Sequence, residues 1–98
     1  MSNIILKITR LSTRTTGSYI MNILKKQEVC EVSRIVMSRY YIGNRQFKRA
    51  IIHVSFIEDN IPAYNLFKRL YKTGHAKIVH ADPHYWNIYL QPARKIEE

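Results

Sequence analysis

The sequence predicts an α+β domain with the order strand, helix, strand, strand, helix, strand. Three observations point there: apolar residues alternate along Ile4 to Leu11, recur at three- and four-residue spacing from Tyr19 to Gln27, and alternate again on both sides of Gly43-Asn44. That order gives the ferredoxin-like βαββαβ sandwich, in which two helices cover one face of a four-stranded antiparallel sheet and leave the other open. A chain of 98 residues, 46% of them apolar, has room for one domain with one core. The domain is placed at residues 1–92, with 93–98 as a frayed tail.

Each element has a local reason. In the first strand Ile4, Leu6 and Ile8 lie on one side and Ile5, Lys7 and Thr9 on the other. Ser12 to Gly17 is rich in Ser and Thr, with Thr15 or Thr16 as the N-cap of the first helix. Tyr19, Ile20, Ile23, Leu24 and Gln27 trace that helix's inner face, and Asn22, Lys25 and Lys26 fall outside it. Val29 to Ile42 is β-branched and aromatic, and its alternation breaks near Ile35, which predicts a bulge there. Gly43-Asn44 closes a two-residue hairpin, because both residues tolerate positive φ. Phe47 to Ile57 returns with Ala50, Ile52, Val54 and Phe56 on one face.

Asn60, Ile61 and Pro62 open the second helix, with proline in the first turn where its missing N–H costs nothing. Ala63, Leu66, Phe67 and Leu70 form its buried stripe, and Gly74 stops it. Ala76 to His80 and Tyr85 to Leu90 read as a short and a longer strand around the turn Ala81-Asp82-Pro83-His84, making an extra short hairpin before the last strand. The expected core is Leu6, Ile8, Ile20, Ile23, Leu24, Val54, Phe56, Leu66, Phe67 and Leu70.

Sixteen Lys and Arg against seven Asp and Glu give a net charge of +9. So strong a basic excess points to a polyanionic partner or an acidic surface. The single cysteine, Cys30, excludes an internal disulfide and fits a reducing compartment. The longest apolar-leaning run, Ala50 to Ile57, is far too short to span a membrane, and Met1 to Arg10 lacks the pattern of a secretory signal. The expectation is an intracellular protein with no membrane association.

Catalytic chemistry finds little support. Only Gly17, Gly43 and Gly74 are present, so there is no glycine-rich phosphate loop. His53, His75, His80 and His84 lack tetrahedral ligand spacing, and His80 and His84 flank a proline turn without a cysteine companion. Cys30 begins a predicted buried strand, and Glu58 and Asp59 precede a helix whose dipole they complement. The chain reads as a binding module, not an enzyme, with no cofactor and no metal.

The third strand, Arg49-Ala50-Ile51-Ile52-His53-Val54-Ser55-Phe56, resembles a degenerate form of the RNA-recognition-motif signature. Its basic first residue, Val54 and Phe56 agree with the pattern, while the base-stacking slots hold Ile51 and His53. On the first strand Lys7 stands where an aromatic is expected. Alternation puts Tyr85 and Tyr89 of the last strand on the open side beside Lys7, and Arg34, Arg49 and His53 extend a patch of rings interleaved with cations. The hairpin adds Arg39, Arg45, Lys48 and Arg49 with Tyr40, Tyr41 and Phe47, as a basic finger beyond the sheet. Such a finger suits a phosphate backbone, or it is a solvated ribbon that keeps an edge from aggregating. Lys68, Arg69 and Lys72 read as a solvated helix face. The open face therefore suits RNA or single-stranded nucleic acid bound with low sequence specificity. The alternative is a protein–protein interface, as in an adaptor or a structural protein. A monomer or weak homodimer is expected.

The segment Lys77-Ile78-Val79-His80-Ala81-Asp82-Pro83-His84-Tyr85-Trp86-Asn87 resembles a family of small RRM-like proteins encoded by large nucleocytoplasmic DNA viruses. The run Ile51-Ile52-His53-Val54-Ser55-Phe56 and the helix ending at Gly74 are also similar to that family. The chain departs from its pattern at Ala81, His84 and Asn87, where acidic, aromatic and basic residues are expected. The resemblance implies an RRM-like fold and a giant-virus origin, with the protein in the cytoplasm or nucleus of the infected cell or packaged in the virion. It transfers no catalytic residue.

Overall fold

The computed structural model describes residues 4–81 and 84–91. The turn residues Asp82 and Pro83 and the tail from Pro92 onward, both read from the sequence, lie outside the described residues. The elements run β1 (Ile4–Leu11), α1 (Gly17–Lys26), β2 (Cys30–Ile42), β3 (Arg45–Ile57), α2 (Ile61–Thr73), β4 (His75–Ala81) and β5 (His84–Gln91). They form an α+β structure in which the strands make one antiparallel sheet in the order β2-β3-β1-β5-β4. Neither helix is long and apolar enough to cross a membrane.

The sheet has five strands, not the four expected. The segment read as an extra hairpin is a full edge strand, because Ala76 and Ile78 lie opposite Ile88 and Trp86 and are buried with them. This placement also changes the second crossover. β3 and β5 both run antiparallel to β1, and β4 runs antiparallel to β5, so the strands on either side of α2 point in opposite directions. α2 starts where Asn60 Nδ2 donates to the Glu28 carbonyl and stops where Leu90 N–H donates to the Gly74 carbonyl. Both points lie at the same end of the sheet, where β1 begins, so α2 lies across the strands rather than along them.

Both helices are capped as their sequences dictate. Thr16 Oγ1 accepts from the Tyr19 N–H and Asn60 Oδ1 from the Ala63 N–H, which satisfies an otherwise orphaned donor at each N-terminus. Gly74 ends α2 at φ +89°, a conformation glycine adopts without penalty. At the β2–β3 turn only Gly43 has positive φ, so the hairpin has the type II′ pattern and Asn44 keeps an ordinary backbone. α1 is followed, just past its C-cap Gln27, by Glu28 at φ +55°, where a residue with a Cβ is strained by about 1 kcal/mol. Glu28→Gly is therefore expected to raise the melting temperature by about 4–8 °C in a thermal scan. The Glu28 carbonyl contact to Asn60 is retained in that variant.

Bulges decide which side chains reach the core. The one expected near Ile35 falls earlier, between Glu31 and Arg34, where the β2–β3 register shifts twice. Ser55 is the extra residue on β3 and Ser33 the extra residue on β2. Each serine hydroxyl donates across the pair, Ser55 to the Glu31 carbonyl and Ser33 to the His53 carbonyl, both at 3.2 Å. The shift at Ser55 reverses the alternation. Phe56, expected in the core, is 50% exposed, while Ile57 packs against the core and Cys30 opposite it is buried. A third bulge lies in β1 between Ile8 and Leu11, with Arg10 at φ +59°; it turns Leu11 inward to full burial.

Of the remaining expected core, Leu6, Ile8, Ile20, Leu24, Val54, Phe67 and Leu70 are buried, and Ile23 and Leu66 pack at its margin. Val29, Ala50, Ile52, Ala63, Ala76, Ile78, Trp86 and Ile88 join it in the buried cluster.

Candidate nucleic-acid interface

Strand pairing fixes which residues share the face opposite the helices. One helix-facing row runs Met37, Ala50, Ile8, Ile88, Ala76 across all five strands. The corresponding row of the open face runs Val36, Ile51, Lys7, Tyr89, His75. Beside it lies the row Arg34, His53, Ile5, Gln91, and on the other flank Ser38 pairs with Arg49 and Asn87 with Lys77. The central row thus places one ammonium between an aliphatic pair and an aromatic pair. Rings sit where bases can stack, and cations sit on either flank where a backbone would pass.

The rings and cations are mutually ordered. The His75 and Tyr89 rings meet at 6.2 Å between centroids, and the Lys77 ammonium lies 4.6 Å from the Tyr85 ring centre. Arg34 Nη2 donates to His53 Nε2 at 3.4 Å, a long contact that leaves the other guanidinium donors free to turn outward. Towards the hairpin, the Arg49 guanidinium stacks over Tyr40 at 4.6 Å, Tyr40 packs on Phe47, and the Arg45 guanidinium covers Phe47 at 5.2 Å. Tyr40 is anchored in turn by the Arg10 N–H, which donates to its hydroxyl at 2.8 Å. Two rings are thereby covered by the protein's own cations. They hold guanidinium edges in place for phosphate contact and are themselves closed to base stacking.

The structure divides the residues singled out in the sequence. Lys7, Arg34, Arg45, Arg49, Ile51, His53, Tyr85 and Tyr89 share the open face. Arg39 and Lys48 pair with each other on the helix side, and the Lys48 ammonium donates to the Thr15 carbonyl at 3.0 Å. Lys48 also lies opposite Leu11 of β1, so it belongs to the sheet and not to a finger beyond it. Sequence reasoning missed Lys77 and His75. The alternation of Ala76 and Ile78 with these two residues was the available signal.

Charge is polarised along the strands. Among the described residues the carboxylates are Glu28, Glu31, Glu58 and Asp59. They sit together at the end where β2 begins and β3 ends, tied by the Glu58 N–H to the Val29 carbonyl and by Asn60 to Glu28. Glu31, opposite Phe56, is on the open side at this end, while among the described residues the open-face rows given above and the turn half of the hairpin carry cations and no carboxylate. Cys30 lies at the acidic end, where burial first and the Glu58 charge second push its thiol up to about 11, so it stays protonated and poorly nucleophilic near neutral pH.

On the helix side, His80 stacks on Trp86 at 4.2 Å, and the Tyr19 hydroxyl lies 3.1 Å from its Nδ1, joining α1 to the β4–β5 hairpin. Burial, and secondarily the charge of His84, lower the His80 pKa from 6.5. The folded state therefore disfavours its charged form. This contribution to stability is intact above 6.5 and is lost as pH falls through the lowered folded value. A pH series of thermal melts is expected to show falling stability on acidification, and His80→Phe is expected to flatten that component.

No family model matches the chain, and no match was found among curated proteins or solved structures.

Proposed function

We propose that the chain is a non-enzymatic RRM-like module that binds RNA or single-stranded nucleic acid with low sequence specificity through its open sheet face. The observation that carries this reading is the five-strand row Val36, Ile51, Lys7, Tyr89, His75, flanked by Arg34, Arg49 and Lys77 in rows that hold no carboxylate among the described residues, with Glu31 set apart on the same side opposite Phe56. Lys7, Arg34, Arg45, Arg49 and Lys77 neutralise phosphates, and His53, His75 and Tyr89 offer stacking surfaces. Resemblance to the RRM-like proteins of large DNA viruses supports the same reading, and with it a role inside an infected cell.

Low specificity follows from what the face presents. Cations read a backbone that is the same in every sequence, and each stack is worth about 1–3 kcal/mol whatever the base. Tyr40 and Phe47 are already covered by arginine. Ile51 occupies a slot where a specific reader carries a ring.

The test is a fluorescence-anisotropy titration of a generic single-stranded oligonucleotide over a range of salt. Binding that weakens with a log–log slope of about −3, the value for four to five neutralised phosphates, supports the reading. A randomised-oligonucleotide selection is expected to return at most a mild preference. Absence of binding even at low salt would favour a protein partner on this face, as in an adaptor.

A further inference from the structure

We propose that the β2–β3 ribbon is a second nucleic-acid contact, one that enters the major groove of duplex DNA. The inference rests on the nucleic-acid reading above, shares Arg45 and Arg49 with it, and adds the helix side and tip of the ribbon and a different ligand form. Its starting observation is that the ribbon is cationic on both faces. Arg45 and Arg49 lie on the open side, stacked over Phe47 and Tyr40. Arg39 and Lys48 lie on the helix side. There the Lys48 bond to Thr15 brings the loop bearing exposed Arg14 alongside them. A single strand lying on the open face has no use for Arg14, Arg39 or Lys48. A duplex groove does, because its two walls present phosphates to both sides of whatever enters it.

The dimensions agree. The last β1 residue paired to the ribbon is Leu11, opposite Lys48, and beyond it Tyr40–Phe47, Tyr41–Gln46 and Ile42–Arg45 stand without a neighbouring strand. Three pairs at about 3.4 Å each project about 10 Å, close to the depth of about 8.5 Å of the B-form major groove, whose width of about 12 Å admits a two-stranded ribbon. The tip carries Asn44, Arg45 and Gln46, side chains able to hydrogen-bond base edges. Tyr41 on the helix side is 67% exposed, since no helix extends over the tip. The A-form major groove of duplex RNA is too deep and narrow for such an element, so the ribbon discriminates duplex DNA from duplex RNA.

The experiment compares three probes by anisotropy: a short duplex DNA, the duplex RNA of the same sequence, and a single-stranded oligonucleotide. Two variants are used, Arg14→Glu/Arg39→Glu for the helix side of the ribbon and Lys7→Glu/Arg34→Glu for the open face. All four residues lie at least partly open to solvent, and thermal melts verify that the variants fold. The expected result is tighter binding to duplex DNA than to duplex RNA. The ribbon variant is expected to lose at least about tenfold on duplex DNA while changing single-strand binding by less than about threefold. The neutral pair Arg14→Gln/Arg39→Gln should shift in the same direction by less. Equal binding to the two duplexes, or a ribbon variant that affects both DNA forms alike, overturns the proposal. Single-strand binding that survives with no duplex binding overturns it alone, whereas loss of binding to every probe overturns the open-face reading as well.

Discussion

Reversing Lys7, Arg34 and Arg49 to Glu in one chain is expected to weaken single-strand binding by at least about 100-fold near 0.1 M salt. The size follows from counterion release. Each phosphate neutralised on a single strand contributes about 1 kcal/mol at that salt, and three lost contacts amount to about two orders of magnitude before any repulsion is added. The salt dependence should flatten at the same time, by about 0.7 in log–log slope for each cation removed. Flattening is the more informative readout, because a variant that merely unfolds loses binding without reporting on charge. The three positions lie on β1, β2 and β3 and tolerate polar side chains, since none of them is buried. Reversing Lys25 and Lys26 on α1, away from the open face, should leave binding within about threefold.

The second large effect is on stability, and it separates two phenylalanines that look equivalent in the sequence. Phe67 is buried beneath α2 at 3% exposure, and Phe67→Ala is expected to cost about 3–5 kcal/mol, a large part of the 5–15 kcal/mol that holds a domain of this size. Phe56→Ala should cost less than about 1 kcal/mol, because half of that ring is already in water. Chemical denaturation measures both. Equal large losses would mean that the bulge at Ser55 does not reverse the strand and that Phe56 packs inward.

Those two rings also show how far the sequence could be read. Helix stripes survive translation into structure, as Phe67 and Leu70 do, because a period of 3.6 residues with caps at Thr16, Asn60 and Gly74 leaves little freedom. Strand alternation is more fragile. A single inserted residue, Ser55 on β3 or Arg10 on β1, moves every later side chain to the opposite face, and neither serine nor arginine signals a bulge in advance. The division of Arg49 from Lys48 could be read from parity alone. The stacking of Arg49 on Tyr40 could not, since it depends on a cross-strand register set by the Gly43 turn and by the Arg10 bond to the tyrosine hydroxyl. The place of the fifth strand was hidden for a related reason. Ala76 to His80 reads as a short strand, but its membership of the main sheet does not, because it pairs only where β5 leaves an edge beside the core that Ala76 and Ile78 can cover.

A single strand lying on the open face is detected residue by residue by backbone amide NMR during titration with a short single-stranded oligonucleotide. Shifts are expected at Lys7, Arg34, Ile51, His53, His75 and Tyr89, progressing together and reversing when salt is added, with the amides of Glu28, Glu31, Glu58 and Asp59 unmoved. Shifts centred on α2 or on the acidic end, with the Lys7 row silent, would mean that the strand binds elsewhere and that the open face is not the interface.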